Sequence, residues 1–382
     1  MTSKVTRGFL VGAVAGLGAA LLAEAGRPLG GTTQLLDWDE IRELTSRRLR
    51  EEPLPPERLE ELGRNLERLA GEMRGPLLEA VGGLPSGAEL PPFQALDRHG
   101  WLELNVGIMA QVMEPLMETT RMRRTRLTEL GRAGVDRYVA FLLDFLGRRV
   151  LGQFDPQLAA APSPLASLPG AEGSRQALYL VEPNVESWES SADLDGEDLR
   201  RWLILHEMAH AWQFAAHPWL RDHLNGLLAR LIREVAGRRQ AGSADRLLRM
   251  TVGAPEQWRV VRELQATMTL VEGYGNLLMQ LVGRRVLPSY DTLEEAYRQR
   301  GSQRSAVELL VWRVTGLELK LRQYRVGEAF AQHIHDVYGM ATLNRAWDGP
   351  ENLPRPGELR DPERWYRRVV GAGPLRTLPS EA

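Results

Sequence analysis

The chain has 382 residues, 43% of them hydrophobic and 26% charged, which is the balance of a globular protein with a full core and excludes both disorder and a polytopic membrane protein. A formal net charge of -2 removes any global argument for binding nucleic acid, and the local cluster Arg121, Arg123, Arg124 and Arg126 reads as a solvated helix face. Cysteine is absent, so disulfides, thiolate metal sites and cysteine nucleophiles are excluded, and any metal must be held by histidine and carboxylate.

Lys4 and Arg7 precede an apolar run at residues 8–23 that is rich in glycine and alanine. The pattern resembles a signal or anchor segment, although it is short for a spanning helix and no small-x-small cleavage site among Leu22, Ala23, Glu24, Ala25 and Gly26 is compelling. Gly8, Gly12 and Gly16 make a small-residue helix face suited to close packing in lipid or in protein. Residues 1–33 therefore form a separate segment, either a packed helix or a membrane attachment through residues 8–23. Two locations follow from this. The absence of cysteine fits the cytoplasm, and a membrane-associated or exported protein is the alternative.

Residues 34–160 read as a helical lobe of four or five helices, with breaks at Pro53, Pro55 and Pro56 and again across residues 82–92. Residues 159–174, rich in Ala, Pro, Ser and Gly, read as a connection to a second region at 161–382. Residues 177–181 (Ala-Leu-Tyr-Leu-Val) are the best strand candidate, closed by Pro183 and Asn184. As a single edge strand before an active-site helix, it could pair with an extended peptide. The predicted fold is mainly α with a minor α+β component, a helical amino-terminal lobe and a small edge strand or sheet.

Asp195, with Asp198 three residues on, predicts a helix start, and Pro218 disfavours helical geometry at His217 and so predicts the stop. Between them Trp202, Leu203, Ile204, Leu205, Met208, Ala209, Ala211, Trp212 and Phe214 cover nearly every face, so this helix is expected to be buried. Inside it stands His206-Glu-Met-Ala-His210. Histidines four apart share one helix face and can reach one ion, while Glu207, rotated by about 100°, can act as a base on a metal's water. Three ionisable groups in an apolar helix are costly to bury unpaired, and a metal resolves that cost.

A catalytic zinc needs a third protein ligand and an open position. The three-histidine pattern requires histidine at position 216, where this chain has Ala216, and glycine at 213, where it has Gln213. His217 is thus one residue out of phase, and His223 lies farther still. Glu272 is the better candidate, at the edge of a stripe formed by Leu264, Met268, Val271, Gly275, Leu278, Met279 and Val282. Gly273 and Gly275 weaken a helix interior and so suggest close packing around Glu272, while Asn276 is placed to accept a hydrogen bond from a ligand histidine. A surface glutamate paired with a nearby arginine is the plainer reading of Glu272.

The helix from Trp202 to Phe214, Val-Leu-Gly-Gln-Phe-Asp-Pro at 150–156, Val-Glu-Pro-Asn at 181–184, Pro-Trp-Leu at 218–220, Leu-Val-Glu-Gly at 270–273, Lys-Leu-Arg-Gln-Tyr at 320–324, Gly327-Glu328 and residues 344–354 together resemble a family of bacterial zincin-like metallopeptidases of unassigned substrate. Some members are labelled as associated with deazaflavin coenzyme biosynthesis, but nothing in this chain forms a flavin or nucleotide site. The resemblance covers roughly residues 90–370. It implies a mainly helical zincin-like catalytic domain with His206 and His210 as ligands and Glu207 as base, and it supports Glu272 as the third ligand. Where the family commonly has histidine after Glu-Gly, this chain has Tyr274, whose hydroxyl could donate to an oxyanion. The function expected is zinc-dependent hydrolysis of peptide bonds in a peptide or protein substrate, with about one zinc per chain. The alternative is a non-catalytic scaffold or interaction protein. The sequence leaves the oligomeric state open.

Overall fold

The computed structural model describes residues 28–119, 122–154, 177–237, 255–302 and 317–371. The apolar run at 8–23 and the connection at 159–174 lie outside them. No helix among the described residues is long and apolar enough to cross a membrane. Those residues form two compact units. One gathers the described residues up to Gly71, within Pro91–Ile204 and within Ser289–Leu319, and the other gathers those of Glu72–Leu90, Leu205–Pro288 and Lys320–Ala382. Both units draw on chain from either side of the boundary expected near residue 160.

Four helices fill the region read as a helical lobe: α1 (Trp38–Ser46), α2 (Pro56–Val81), α3 (Arg98–Thr119) and α4 (Arg126–Gly147). The breaks on either side of α2 fall where proline and glycine collect, with Pro56 opening α2 and positive φ angles at Gly82 and Gly83 following its end. The first unit also holds short strands that the helical periodicity hides. β1 (Pro28–Thr33) pairs antiparallel with β3 (Met122–Thr125). β5 (Leu178–Val181) lies between β2 (Phe93–Leu96), which runs parallel to it, and β4 (Gly152–Phe154), which runs antiparallel.

This sheet corrects one expectation. β5 is where the sequence places a strand, but it is the central strand of three. Leu178 N–H donates to Pro92 O at 3.0 Å on one side, and Val181 N–H donates to Leu151 O at 2.8 Å. Both edges are therefore used, and no peptide can add to it. All four residues of β5 are buried, because a strand flanked on both sides and packed on both faces has no solvated face to mark with polar residues.

The Val-Glu-Pro-Asn stretch turns out to be architecture. The strand ends directly in α5 (Glu182–Ala192), with proline in its first turn, where a missing N–H costs nothing. Glu182 is fully buried and receives Arg200 Nη2 at 2.7 Å. Asn184 donates to Gly147 O and Val150 O, both at 2.7 Å, and accepts from Arg98 Nε at 2.7 Å. It thereby satisfies carbonyls left over at the end of α4.

α6 (Gly196–Ala216) starts as expected, with Asp195 Oδ1 accepting from Asp198 N–H at 2.8 Å, and stops before Pro218. After it come α7 (Trp219–Gly237), α8 (Pro255–Val286), α9 (Tyr290–Ser302), α10 (Leu317–Tyr338), α11 (Met340–Asn344), three short 3-10 turns and α12 (Pro362–Val369). In the second unit α8 and α10 cross backbone to backbone. A methyl built on Gly273 would fall inside the carbonyl of Gly327, and one built on Gly327 would fall inside the carbonyl of Thr269. Behind this crossing Tyr274 is wholly enclosed. It stacks on Trp212 at 5.6 Å, meets Trp347 edge-on at 5.3 Å and donates its hydroxyl to Asn344 Oδ1 at 2.7 Å. His217 joins the same cluster, edge-on to Trp212 and stacked on Trp347.

Two predictions follow from this packing. Gly273→Ala and Gly327→Ala should each lower stability by an amount at or above the upper end of about 1–3 kcal/mol, because the backbone on the far side cannot step aside. Gly226→Ala on α7 has open space around its new methyl and should raise stability by up to about 1 kcal/mol. Urea denaturation midpoints of the three variants check both signs. The second prediction concerns acid. Burial lowers the pKa of His217 from 6.5 to about 4, with Asp348 opposing weakly. The unfolded chain therefore takes a proton below about pH 6.5 that the folded chain refuses until about pH 4. Stability from the neutral ring is complete above pH 6.5 and is lost as pH falls toward 4. His217→Phe should flatten the stability-pH curve between those limits, as measured by denaturation at stepped pH.

Candidate metal centre

The site is built on α6. Its residues bury nearly all faces, with Leu205 and Ala209 at 0% exposure, so the polar side chains it carries stand in a dry setting. His206 and His210 lie one turn apart. Their Nε2 atoms are 3.2 Å from each other and their rings meet edge to face at 4.6 Å. Glu272 of α8 brings its Oε2 to 3.6 Å from His210 Nε2. One ligating atom from each of the three lies within 4.8 Å of the others, and among the described residues this is the one group of three or more such side chains close enough to share an ion.

Gly275 explains how α8 comes so near. A methyl there would stand 3.2 Å from Cε1 of His210, so the bare backbone of α8 lies against the imidazole ring. Gly273, on the other side of Glu272 in sequence, makes the crossing with α10. The two glycines let α8 approach two neighbours with the carboxylate between them in the chain.

The far nitrogens of both rings are engaged away from the gap. His210 Nδ1 faces Gln213 Oε1 at 3.1 Å, and His206 Nδ1 faces Met279 Sδ at 3.0 Å. With protons on Nδ1, both Nε2 lone pairs point at the same small volume as the Glu272 carboxylate. Three electron-pair donors so close repel one another unless a cation lies among them. Donors held tetrahedrally at roughly 2.0–2.1 Å from zinc stand about 3.3 Å apart, and the two shortest separations here bracket that value. Burial lowers the pKa of His206 to about 4, aided by the neighbouring His210 and opposed by Glu272. The ring is neutral at pH 7, as a ligand must be. The residues present fit a zinc ion held by two imidazoles and one carboxylate.

Glu207 is buried at 6% exposure and follows His206 on the helix. Tyr274 is not brought to this group. Two residues beyond Glu272, it projects from the opposite side of α8 into the aromatic cluster, where its hydroxyl is given to Asn344. Burial raises its pKa far above the ordinary phenol value. Asn276 is half-buried on α8, but the contact expected of it, to a ligand histidine, is made by Gln213. The reason is local: the Nδ1 of His210 faces along its own helix, toward the residue three positions on. A signal for this was available, because Gln213 is the one amide, hydroxyl or charged side chain between Trp202 and Ala216 outside the His-Glu-His set. His217 lies in the aromatic cluster and His223 beside Trp219, and neither joins the group.

A solved structure from Chloroflexus aurantiacus, described as that of a proposed hydrolase with a novel fold, is similar with a TM-score of 0.64 and 31% sequence identity, over 88% of this chain and 100% of that one. No curated protein sequence matches. The family model for zincin-like metallopeptidases matches residues 36–366, a span that contains the whole His-His-Glu group, and the chain accordingly belongs to the zincin-like metallopeptidase family.

Proposed function

We propose that the protein is a zinc-dependent hydrolase that cleaves peptide bonds, with His206, His210 and Glu272 as metal ligands and Glu207 as general base. The observation that carries this reading is the convergence of two imidazole nitrogens and one carboxylate oxygen within 4.8 Å, from three residues of one compact unit. When bound, zinc would polarise a scissile carbonyl and acidify a water molecule. Glu207, next to His206 but turned about 100° around the helix, is the carboxylate assigned to take the proton from the attacking water and return it to the leaving amine. Burial keeps His206 neutral at pH 7, so its nitrogen stays open to a cation. Oxyanion stabilisation falls to groups other than Tyr274, whose hydroxyl is enclosed and engaged. A purely structural metal site would have no use for Glu207. Peptide as the substrate rests on family membership.

The protein should purify with about one zinc per chain. Glu207→Gln should keep that zinc and lose hydrolysis of a peptide library by about 100-fold or more, since the amide cannot accept the proton. Loss of zinc in this variant would instead make Glu207 a ligand. Glu272→Ala should lose the metal under mild chelation while His217→Ala keeps it, as read by elemental analysis, and the opposite pattern would overturn the ligand assignment.

A further inference from the structure

Gln213 is enclosed completely, at 0% exposure, and both ends of its amide are engaged. Nε2 donates to Val271 O at 2.9 Å, and Oε1 faces His210 Nδ1 at 3.1 Å. A backbone carbonyl has lone pairs and no proton, so it can accept only from the NH2 end of the amide. That decides which way the amide points. With NH2 turned to Val271, the oxygen must face His210, and the only favourable partner for that oxygen is a proton on Nδ1. In the neutral ring a proton on Nδ1 leaves the lone pair on Nε2, the atom that lies 3.2 Å from His206 Nε2 and 3.6 Å from Glu272 Oε2. A one-way chain of hydrogen bonds thus runs from the α8 backbone through Gln213 to the imidazole.

We infer that Gln213 is a positioning residue for the metal site, holding His210 in the Nδ1–H tautomer and tying it to the α8 backbone beside Glu272. The inference rests on the zinc reading given above. Val271 immediately precedes Glu272, so one amide links the helix carrying both histidines to the helix carrying the carboxylate. Gly275 completes the clamp, because its bare Cα leaves room for the ring while the backbone stops it from tilting away. Burial matters to the strength of this arrangement, since no water competes for either end of the amide. Val271 O lies within α8 and can also accept the ordinary helical bond from Gly275 N–H, so it is not orphaned when Gln213 is replaced. Removing the amide therefore acts mainly on His210.

The test uses the full chain and two variants. Gln213→Met keeps length and volume but offers no acceptor of comparable strength, and Gln213→Glu restores an oxygen facing Nδ1. Zinc affinity is measured by competition with a chromophoric chelator. The tautomer of His210 is read by nitrogen-15 NMR of the metal-free, histidine-labelled protein, which has seven histidines to assign. Gln213→Met should bind zinc about 10- to 100-fold more weakly and move His210 toward the Nε2–H tautomer, whereas Gln213→Glu should recover most of the affinity and keep Nδ1–H. A role in packing alone would shift thermal stability in both variants and leave affinity and tautomer unchanged, and that result overturns the inference. If Gln213→Met does not fold, an Nε2–H tautomer in Gln213→Glu overturns it equally. If the wild type binds no zinc, the hydrolase reading fails, and the tautomer comparison alone decides whether Gln213 orients His210.

Discussion

Two glycines, one directly after Glu272 and one three positions after it, let the backbone of α8 come into contact with two neighbours. Gly273 meets the backbone of α10 at Gly327, and Gly275 meets the ring of His210 on α6. Helix axes normally stand 8–10 Å apart because side chains hold them there, so contact of bare backbone brings them closer than most side chains permit. That approach carries the carboxylate of Glu272 to the imidazole pair. Glycine inside a helix costs about 1 kcal/mol relative to alanine, and two of them within three residues are a local weakness accepted for a tertiary gain.

The same closeness sets the electrostatics. Two imidazole nitrogens and a carboxylate oxygen converge in a part of the molecule where Leu205 and Ala209 are fully buried, and such donors are unfavourable together without a cation. The protein holds them there through contacts on their far sides: Gln213 and the α8 backbone for His210, Met279 for His206. Site geometry therefore depends on residues that never face the gap between the three donors. The burial that keeps His206 neutral also makes acid costly, and His217 in the aromatic cluster responds to acid in the same direction.

The first unit shows how easily motif residues can be architectural. Glu182 and Asn184 belong to one of the stretches that carry the family resemblance, and a buried glutamate is easily mistaken for a catalytic one. Glu182 instead receives Arg200, and Asn184 collects carbonyls at the end of α4 together with Arg98. Breaking either set would strand buried polar groups, which is reason enough for both residues to be what they are.

What the sequence by itself determined is what helix geometry dictates over short distances. The start of α6 at Asp195, its stop before Pro218, its apolar faces and the shared face of His206 and His210 all depend on residues within a few turns of one another. The breaks on either side of α2 were legible for the same reason, since proline and glycine mark them, whereas the break between α3 and α4 carries neither residue. The tertiary structure alone decided matters that depend on which distant segment lies opposite. β5 became a central strand because β2 and β4, far from it in the chain, took both of its edges. Tyr274 lost its access to the site because two residues along a helix is about 200° around it, and that side of α8 is filled by Trp212 and Trp347. Gln213 rather than Asn276 supports His210 because the direction of a ring nitrogen follows from how the ring is wedged, and the wedge is the backbone of another helix at Gly275. Local periodicity fixes which side chains share a face, and only packing fixes what that face meets.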